Sequence, residues 1–158
     1  MNNVVNIVIA GLGGQGVLKA SDIVADLAFA AGFDVKKSEI HGMSQRGGSV
    51  SSDVRYGERI FSPMVPRGEA DFLLVTDAGQ VEVNRDALKP NGVLIDPSQI
   101  DVSRLASAKS MNVALLGALS TRLQFSEDAW IEAIARNLPA ALLEVNRISF
   151  ASGRGEAK

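Results

Sequence analysis

The segment VVNIVIAGLGGQG, Val4 to Gly16, limits the possible folds more than any other part of the chain. A short β-branched apolar run without polar alternation reads as a strand buried on both faces. It breaks directly into glycines, so the backbone must turn there. From Val17 onward the apolar residues Val17, Ala20, Val24, Leu27, Ala28 and Ala31 recur at helical spacing, while Lys19, Asp22 and Asp26 take the opposite side. Gly32 offers the left-handed residue that commonly closes a helix. Strand, glycine loop, amphipathic helix and glycine stop make the first half of a βαβ unit.

The chain continues in short units. FDVKKSE is a second strand, and SVSSDVRYGE a third, with Val50, Val54 and Tyr56 on one face and Ser49, Ser51, Asp53 and Arg55 on the other. That alternation predicts a half-exposed or edge strand. ADFLLVTDAG is again a buried strand entering a loop, QVEVNRDAL a helical segment stopped by KPNG, and GVLIDPS another short buried strand. Asp77 and Asp96 stand at strand ends, where they read as caps or turn formers. Three helices follow: NVALLGALSTRL with Asn112 as N-cap, SEDAWIEAIARNL with Ser126 as N-cap, and PAALLEVNRISFASG begun by Pro139. Trp130 is assigned to helix packing. The expected fold is α/β, a three-layer sandwich with a mainly parallel sheet, helices on both faces and a Rossmann-like first βαβ unit. With 158 residues and neither linker nor internal repeat, residues 1–158 are expected to form one domain.

Composition removes several functions. Sixteen basic and eighteen acidic residues leave a formal charge of −2, and no Lys/Arg cluster forms the footprint of a phosphate backbone, so nucleic acid is not an expected partner. With no cysteine, the chain cannot supply thiolates to an iron–sulfur cluster or a zinc site, so any redox centre must sit on another chain. The apolar runs fall short of the ~20 residues that span a bilayer. MNNVVNIV lacks the basic start and apolar core of a signal peptide, and a cytoplasmic location without membrane contact is expected.

Two stretches carry chemistry. In GLGGQG, the residues Gly11, Gly13 and Gly16 fit G-x-G-x-x-G between a strand and a helix, with Gly14 and Gln15 completing the loop. Such glycines allow a tight turn and let the backbone approach a pyrophosphate at the helix start. A dinucleotide site also needs an acid at the end of the second strand. Here that strand carries Lys36 and Lys37, with Glu39 as the nearby acid. A nucleotide cradle and a tight crossover that binds nothing both remain open. The second stretch, HGMSQRGGSV, gathers His41, Ser44, Gln45 and Arg46 with Gly47 and Gly48. As a connection between strands it needs glycines, yet a guanidinium beside glycine N–H groups also suits phosphate or carboxylate. No companion acid or second histidine is in view, so neither a triad nor a metal site can be assembled, and His41 reads as a structural hydrogen-bonding residue before a general base. Both loops follow strands and are expected to meet at one sheet edge.

At this point the residues resemble a known family. GLGGQGV opening a helix, AAGFDVKKSEIHGMSQRGGSVSSDVRYG, ADFLLVTDAG, NVALLGALS and LLEVNRISFASGR are similar to the gamma-type domain of the 2-oxoacid:ferredoxin oxidoreductases, nearest to the beta subunits of its indolepyruvate branch. The resemblance implies a small accessory subunit of an enzyme that oxidatively decarboxylates a 2-oxoacid to an acyl-CoA and passes electrons to ferredoxin. Indolepyruvate or another aryl pyruvate is one option for the substrate. It also implies that thiamine diphosphate and iron–sulfur clusters sit on a large partner subunit, that CoA joins in the complex, and that this chain holds no cofactor firmly and is inactive alone. His41, Ser44, Gln45, Arg46, Gly47 and Gly48 would then face that subunit, while Gly11, Gly13, Gly14, Gln15 and Gly16 stay a candidate backbone loop for a cofactor on the motif alone. One departure stands out: between GVLI and NVALLG the family usually carries a longer segment than the one from Asp96 to Met111 here. The alternative function is a stand-alone nucleotide-binding module or NAD(P)-dependent dehydrogenase built on Gly11 to Gly16.

Overall fold

The computed structural model describes residues 3–42 and 47–155. Five strands form one sheet in the order β2-β3-β1-β4-β5. They are β1 (Val4–Leu12), β2 (Asp34–His41), β3 (Ser49–Gly57), β4 (Ala70–Val75) and β5 (Leu88–Ile95). The helices are α1 (Val17–Ala30), the single turn α2 (Val81–Asn84), α3 (Met111–Ser120), α4 (Glu127–Asn137) and α5 (Leu143–Arg154).

The α/β class holds, and the sheet is mixed. β1 is parallel to β4, and β4 to β5, but β3 is antiparallel to both β1 and β2. The reason lies in a connection length. Only residues 42–48 join β2 to β3, and so short a link permits a hairpin, whereas a parallel return needs a crossover of a dozen residues or more. β1 and β2 still run the same way, joined by α1, so the first βαβ unit is present with β3 inserted between its strands. For the same reason β3 is an inner strand, and the edge expected there belongs to β2. Its alternation has another cause: Val54 and Tyr56 enter the main core, while Asp53 and Arg55 face the thinner layer.

The two sheet faces are covered unequally. Ile7, Ile9, Val54, Tyr56, Leu74 and Ile95 pack beneath α1, α3, α4 and α5. On the opposite face Val8, Leu73 and Val75 pack with Val81 of α2, with Leu88 and Leu94 of β5 and with Val65 and Ala87. α3 is apolar nearly all round and correspondingly buried, as such a helix must be. Trp130 is fully buried and packs on Phe150 with ring centroids 5.7 Å apart, as its helix-packing role requires. Small residues let α3 and α5 approach closely: Ser110 and Ser149 share a hydroxyl–hydroxyl hydrogen bond of 2.5 Å, and Gly117 and Gly153 each lie against a backbone carbonyl of the other helix.

The turn chemistry follows the expectation at Gly32 (φ 96°), at Ser126, whose hydroxyl accepts from the Ala129 N–H at 3.1 Å, and at Asp77 and Asp96, which cap short 3-10 turns. It differs in three places. KPNG does not end a helix but lies within β5, with Asn91 at φ 69° beside a register shift. The last helix runs through Gly153 to a left-handed Gly155. Asn112 is not an N-cap; Ser110 holds that position. Among the described residues no helix is long and apolar enough to cross a membrane.

Asp53 provides a test of the thinner face. It is 9% exposed, and its carboxylate accepts from the Val65 N–H at 2.8 Å. Burial lifts its pKa above the ordinary 3.8, against the opposing pull of the Val65 N–H and Arg55. The folded chain therefore binds this proton more firmly than the unfolded chain, and stability falls as pH rises from the unfolded value through the raised one. Asp53→Asn keeps an acceptor for Val65 and removes the charge. In thermal melts from about pH 4 to 7, the variant is expected to gain on the parent as pH rises. A variant that loses ground over that range would contradict the assignment.

Candidate functional site at the carboxyl edge of the sheet

β1 ends by turning through Gly14 (φ 87°) and Gly16 (φ 77°) into α1, backbone angles that favour glycine. Gln15 fixes this turn. Its Oε1 accepts from the Leu12 N–H and from the Thr76 hydroxyl, both at 2.8 Å, and its Nε2 donates to Asp77 Oδ1 at 2.9 Å. The other Asp77 oxygen accepts from the Gly79 N–H at 2.9 Å. One amide side chain thus ties the end of β1 to the end of β4. The absent Cβ at Gly11 leaves room for the Thr76 hydroxyl, and that at Gly16 for the Asn112 side chain, whose Nδ2 donates to the Gly16 carbonyl at 3.2 Å.

The two sequence loops do meet. The Gly13 N–H donates to the Gly48 carbonyl at 2.8 Å, and Gly47 lies against Gly13. His41 ends β2 beside them. Ser44, Gln45 and Arg46 lie outside the described residues. Two concavities flank the glycine turn. One of about 380 Å³ is lined by Gly13, Gly14, Val17, Lys19, His41 and Val50. It opens at the start of α1, where no side chain caps the helix and no acid stands in the first turn, so the helix dipole and Lys19 give this end a positive field. The other, of about 510 Å³, lies over the ends of β1, β4 and β5 and is lined by Gln15, Thr76, Asp77, Pro97, Lys109 and Met111. From β1 the chain crosses by α1 toward β2, and from β4 it crosses through α2 to β5, on the other side. The crevice between β1 and β4 is therefore the topological switch point, where open α/β sheets bind ligands.

This geometry weighs against the dinucleotide reading. β3 separates β1 from β2, so the end of β2 lies two strand spacings, about 10 Å, from the glycine turn. Glu39 is engaged with Lys37 at 2.9 Å. The Leu12 and Gly13 N–H groups are already bonded within the protein. Among the described residues no group of three or more His, Asp or Glu could hold a metal ion. Sequence reasoning missed Thr76, Lys19 and Lys109. Thr76 was legible as the neighbour of Asp77 at a strand end; the two lysines become notable only when the fold sets them beside the glycine turn.

Comparison with known proteins places these features in a family. The pyruvate ferredoxin/flavodoxin oxidoreductase family matches residues 6–156. A curated relative, the indolepyruvate oxidoreductase subunit IorB of Thermococcus kodakarensis, is 33% identical over 193 residues, covering 97% of this chain and 96% of that protein. An alignment of 193 residues cannot be filled by a chain of 158, so the relative carries positions without a counterpart here. Among solved structures, the gamma subunit of a keto/oxoacid ferredoxin oxidoreductase from Geobacter sulfurreducens has a TM-score of 0.79 at 24% identity, covering 98% of this chain and 97% of that one. The 2-oxoglutarate:ferredoxin oxidoreductase of Magnetococcus marinus, with 2-oxoglutarate, coenzyme A and succinyl-CoA bound, has a TM-score of 0.83 at 21% identity. It covers 99% of this chain, which spans 31% of that one. These structural likenesses establish the fold.

Proposed function

The chain belongs to the pyruvate ferredoxin/flavodoxin oxidoreductase family, and on that premise we propose how its carboxyl edge serves such an enzyme. It is a small subunit of the 2-oxoacid:ferredoxin oxidoreductase type. In our reading residues 1–158 act as one gamma-type domain in the cytoplasm, bound to a large subunit that holds thiamine diphosphate and the iron–sulfur clusters and delivers electrons to ferredoxin. The substrate is a 2-oxoacid, with an aryl pyruvate such as indolepyruvate favoured by the names of the curated relatives. The chain has no cysteine, so cluster ligation by thiolate falls to another chain.

The observation that carries this reading is the closure of the two glycine loops on each other, with a concavity on either side of the turn. The N–H groups of the first turn of α1, which no side chain caps, together with Lys19 and Lys109, suit the phosphates of CoA, and the switch-point crevice is wide enough for part of that molecule. Where a cofactor carries the chemistry, the protein's share is to position groups and exclude water. This chain contributes the wall along which CoA or substrate approaches, and His41, Ser44, Gln45 and Arg46 face the large subunit.

Three measurements test this. Purification of the tagged chain from its native cells is expected to bring down a larger chain with cysteine motifs and thiamine diphosphate; a clean monomer would refute the subunit reading. In the complex, His41→Ala with Arg46→Ala is expected to lower turnover about tenfold or more while assembly stays intact, as loss of positioning groups does. Loss of assembly alone would make the loop a scaffold contact. Calorimetric titration of the isolated chain with NAD and NADP is expected to give no binding, which separates the dehydrogenase alternative.

A further inference from the structure

We propose that two copies of this chain join edge to edge through β2, antiparallel and centred on Ser38, to form one continuous sheet of ten strands. This goes beyond the subunit assignment and does not rest on it. The sheet has two edges, β2 and β5, and they differ. β5 is interrupted: Pro90 has no N–H to donate, Asn91 has φ 69°, and the register shifts opposite Ala70 and Phe72. β2 pairs with β3 without a break from Asp34 to His41 and contains no proline. Its outer edge is a regular row of backbone donors and acceptors, a template for another strand.

The direction of those groups follows from one bond. The Gly42 N–H donates to the Ser49 carbonyl at 2.6 Å, which makes that pair hydrogen-bonded. Alternation then turns Ile40, Ser38 and Lys36 toward β3, and leaves Val35, Lys37, Glu39 and His41 directing N–H and C=O outward. A two-fold axis through the sheet must pair residues lying on the same face. The register centred on Ser38 sets Lys37 of each copy opposite Glu39 of the other, and Val35 opposite His41, with about eight backbone hydrogen bonds. Neighbouring registers oppose Lys37 to Lys37 or Glu39 to Glu39. Opposite charges across a strand pair stabilise it and like charges do the reverse, so charge selects one register.

The charges are already organised for this. Lys37 Nζ lies 2.5 Å from Asp22 and 2.9 Å from Glu39, and in the joined sheet the two lysines and two glutamates alternate in sign. Among the described residues, α1 leaves room for the approach. α1 rests chiefly against β3, so the two copies of α1 lie three strand spacings apart, about 14 Å, beyond the 8–10 Å of close helix packing. β2 supplies its own complement, so the strand that fits this edge is the β2 of a second copy.

The absence of native cysteine makes the test clean. Ser38 would face its own copy across the axis as a non-hydrogen-bonded pair, with Cα atoms about 4.5 Å apart, inside the range a disulfide spans. In the full chain, alone and co-expressed with its large subunit, Ser38→Cys is expected to form a covalent homodimer at least about tenfold faster under mild oxidation than the exposed control Thr121→Cys. The parent is expected to sediment as a dimer. Glu39→Lys sets lysine against lysine at two places and is expected to weaken self-association about tenfold or more with its circular dichroism unchanged. Crosslinking of Ser38→Cys no faster than the control, or self-association unaffected by Glu39→Lys, overturns the proposal. Protection of Ser38→Cys in the complex overturns it too, because another chain would then occupy the edge.

Discussion

Gly153→Ala is expected to destabilise the chain by about 3 kcal/mol or more. A Cβ at Gly153 would overlap the carbonyl of Ala114, and a Cβ at Gly117 the carbonyl of Phe150. Both obstacles are backbone atoms of a facing helix, so no side chain can swing aside. Either α3 and α5 separate, or the helices slide and break the Ser110–Ser149 hydrogen bond. Separation also loosens Phe150 and Trp130, both fully buried. Overpacking usually costs about 1–3 kcal/mol, and an immovable neighbour puts these glycines at or above the top of that range. Against a total stability of about 5–15 kcal/mol, such a loss would lower the melting temperature by roughly 6–12 °C. Gly155→Ala is the control: its φ of 82° strains an alanine, but the cost is confined to a helix end and stays near 1 kcal/mol. Thermal unfolding of Gly153→Ala, Gly117→Ala and Gly155→Ala checks the ranking, and a Gly153→Ala protein that melts with the parent would disprove the close approach.

The same glycines show where sequence reading succeeds and where it stops. The β1–α1 crossover was legible because its signals are local: an unbroken apolar run, glycines, then helical spacing. So were Ser126 and Gly32, whose effects reach three residues or fewer. Strand pairing is set by whole-chain geometry, and the place of β3 between β1 and β2 depended on a seven-residue connection. Gly153 looked like a helix stop because a glycine near the end of a periodic segment usually is one. Its use as a contact with Ala114 is visible only when α3 lies beside it. Asn112 read as an N-cap from its position ahead of VALLG; tertiary contact instead turns it toward the Gly16 carbonyl, 96 residues away in the chain. At the candidate site, proximity of the two loops followed from both of them leaving the ends of strands, but the network of Gln15, Thr76 and Asp77 did not, because a glutamine between glycines carries no local sign of its partners.

Gly16→Ala is expected to lower turnover of the assembled oxidoreductase about a hundredfold while leaving the subunit bound, since displacement of positioning groups by about 1 Å costs that much. Two costs coincide at this residue. Its φ of 77° demands about 1–2 kcal/mol from any residue with a Cβ, and that Cβ would also meet the Asn112 amide. The chain relieves both by shifting the start of α1, which carries Val17 and Lys19 with it and changes the wall of the smaller concavity. Gln15 stays fastened to Thr76 and Asp77, so the distortion falls on the α1 side of the turn. A second substitution divides the two costs. Asn112→Ala alone removes one hydrogen bond to Gly16, worth about 0.5–1.5 kcal/mol, and is expected to have a small effect. Combined with Gly16→Ala it opens the space the new Cβ requires, so the double variant should recover part of the lost turnover and depart from additivity. A scaffold without a ligand-facing edge would behave differently: Gly16→Ala would reduce stability and assembly together, leave the turnover of the remaining complex unchanged, and show no rescue of rate by Asn112→Ala.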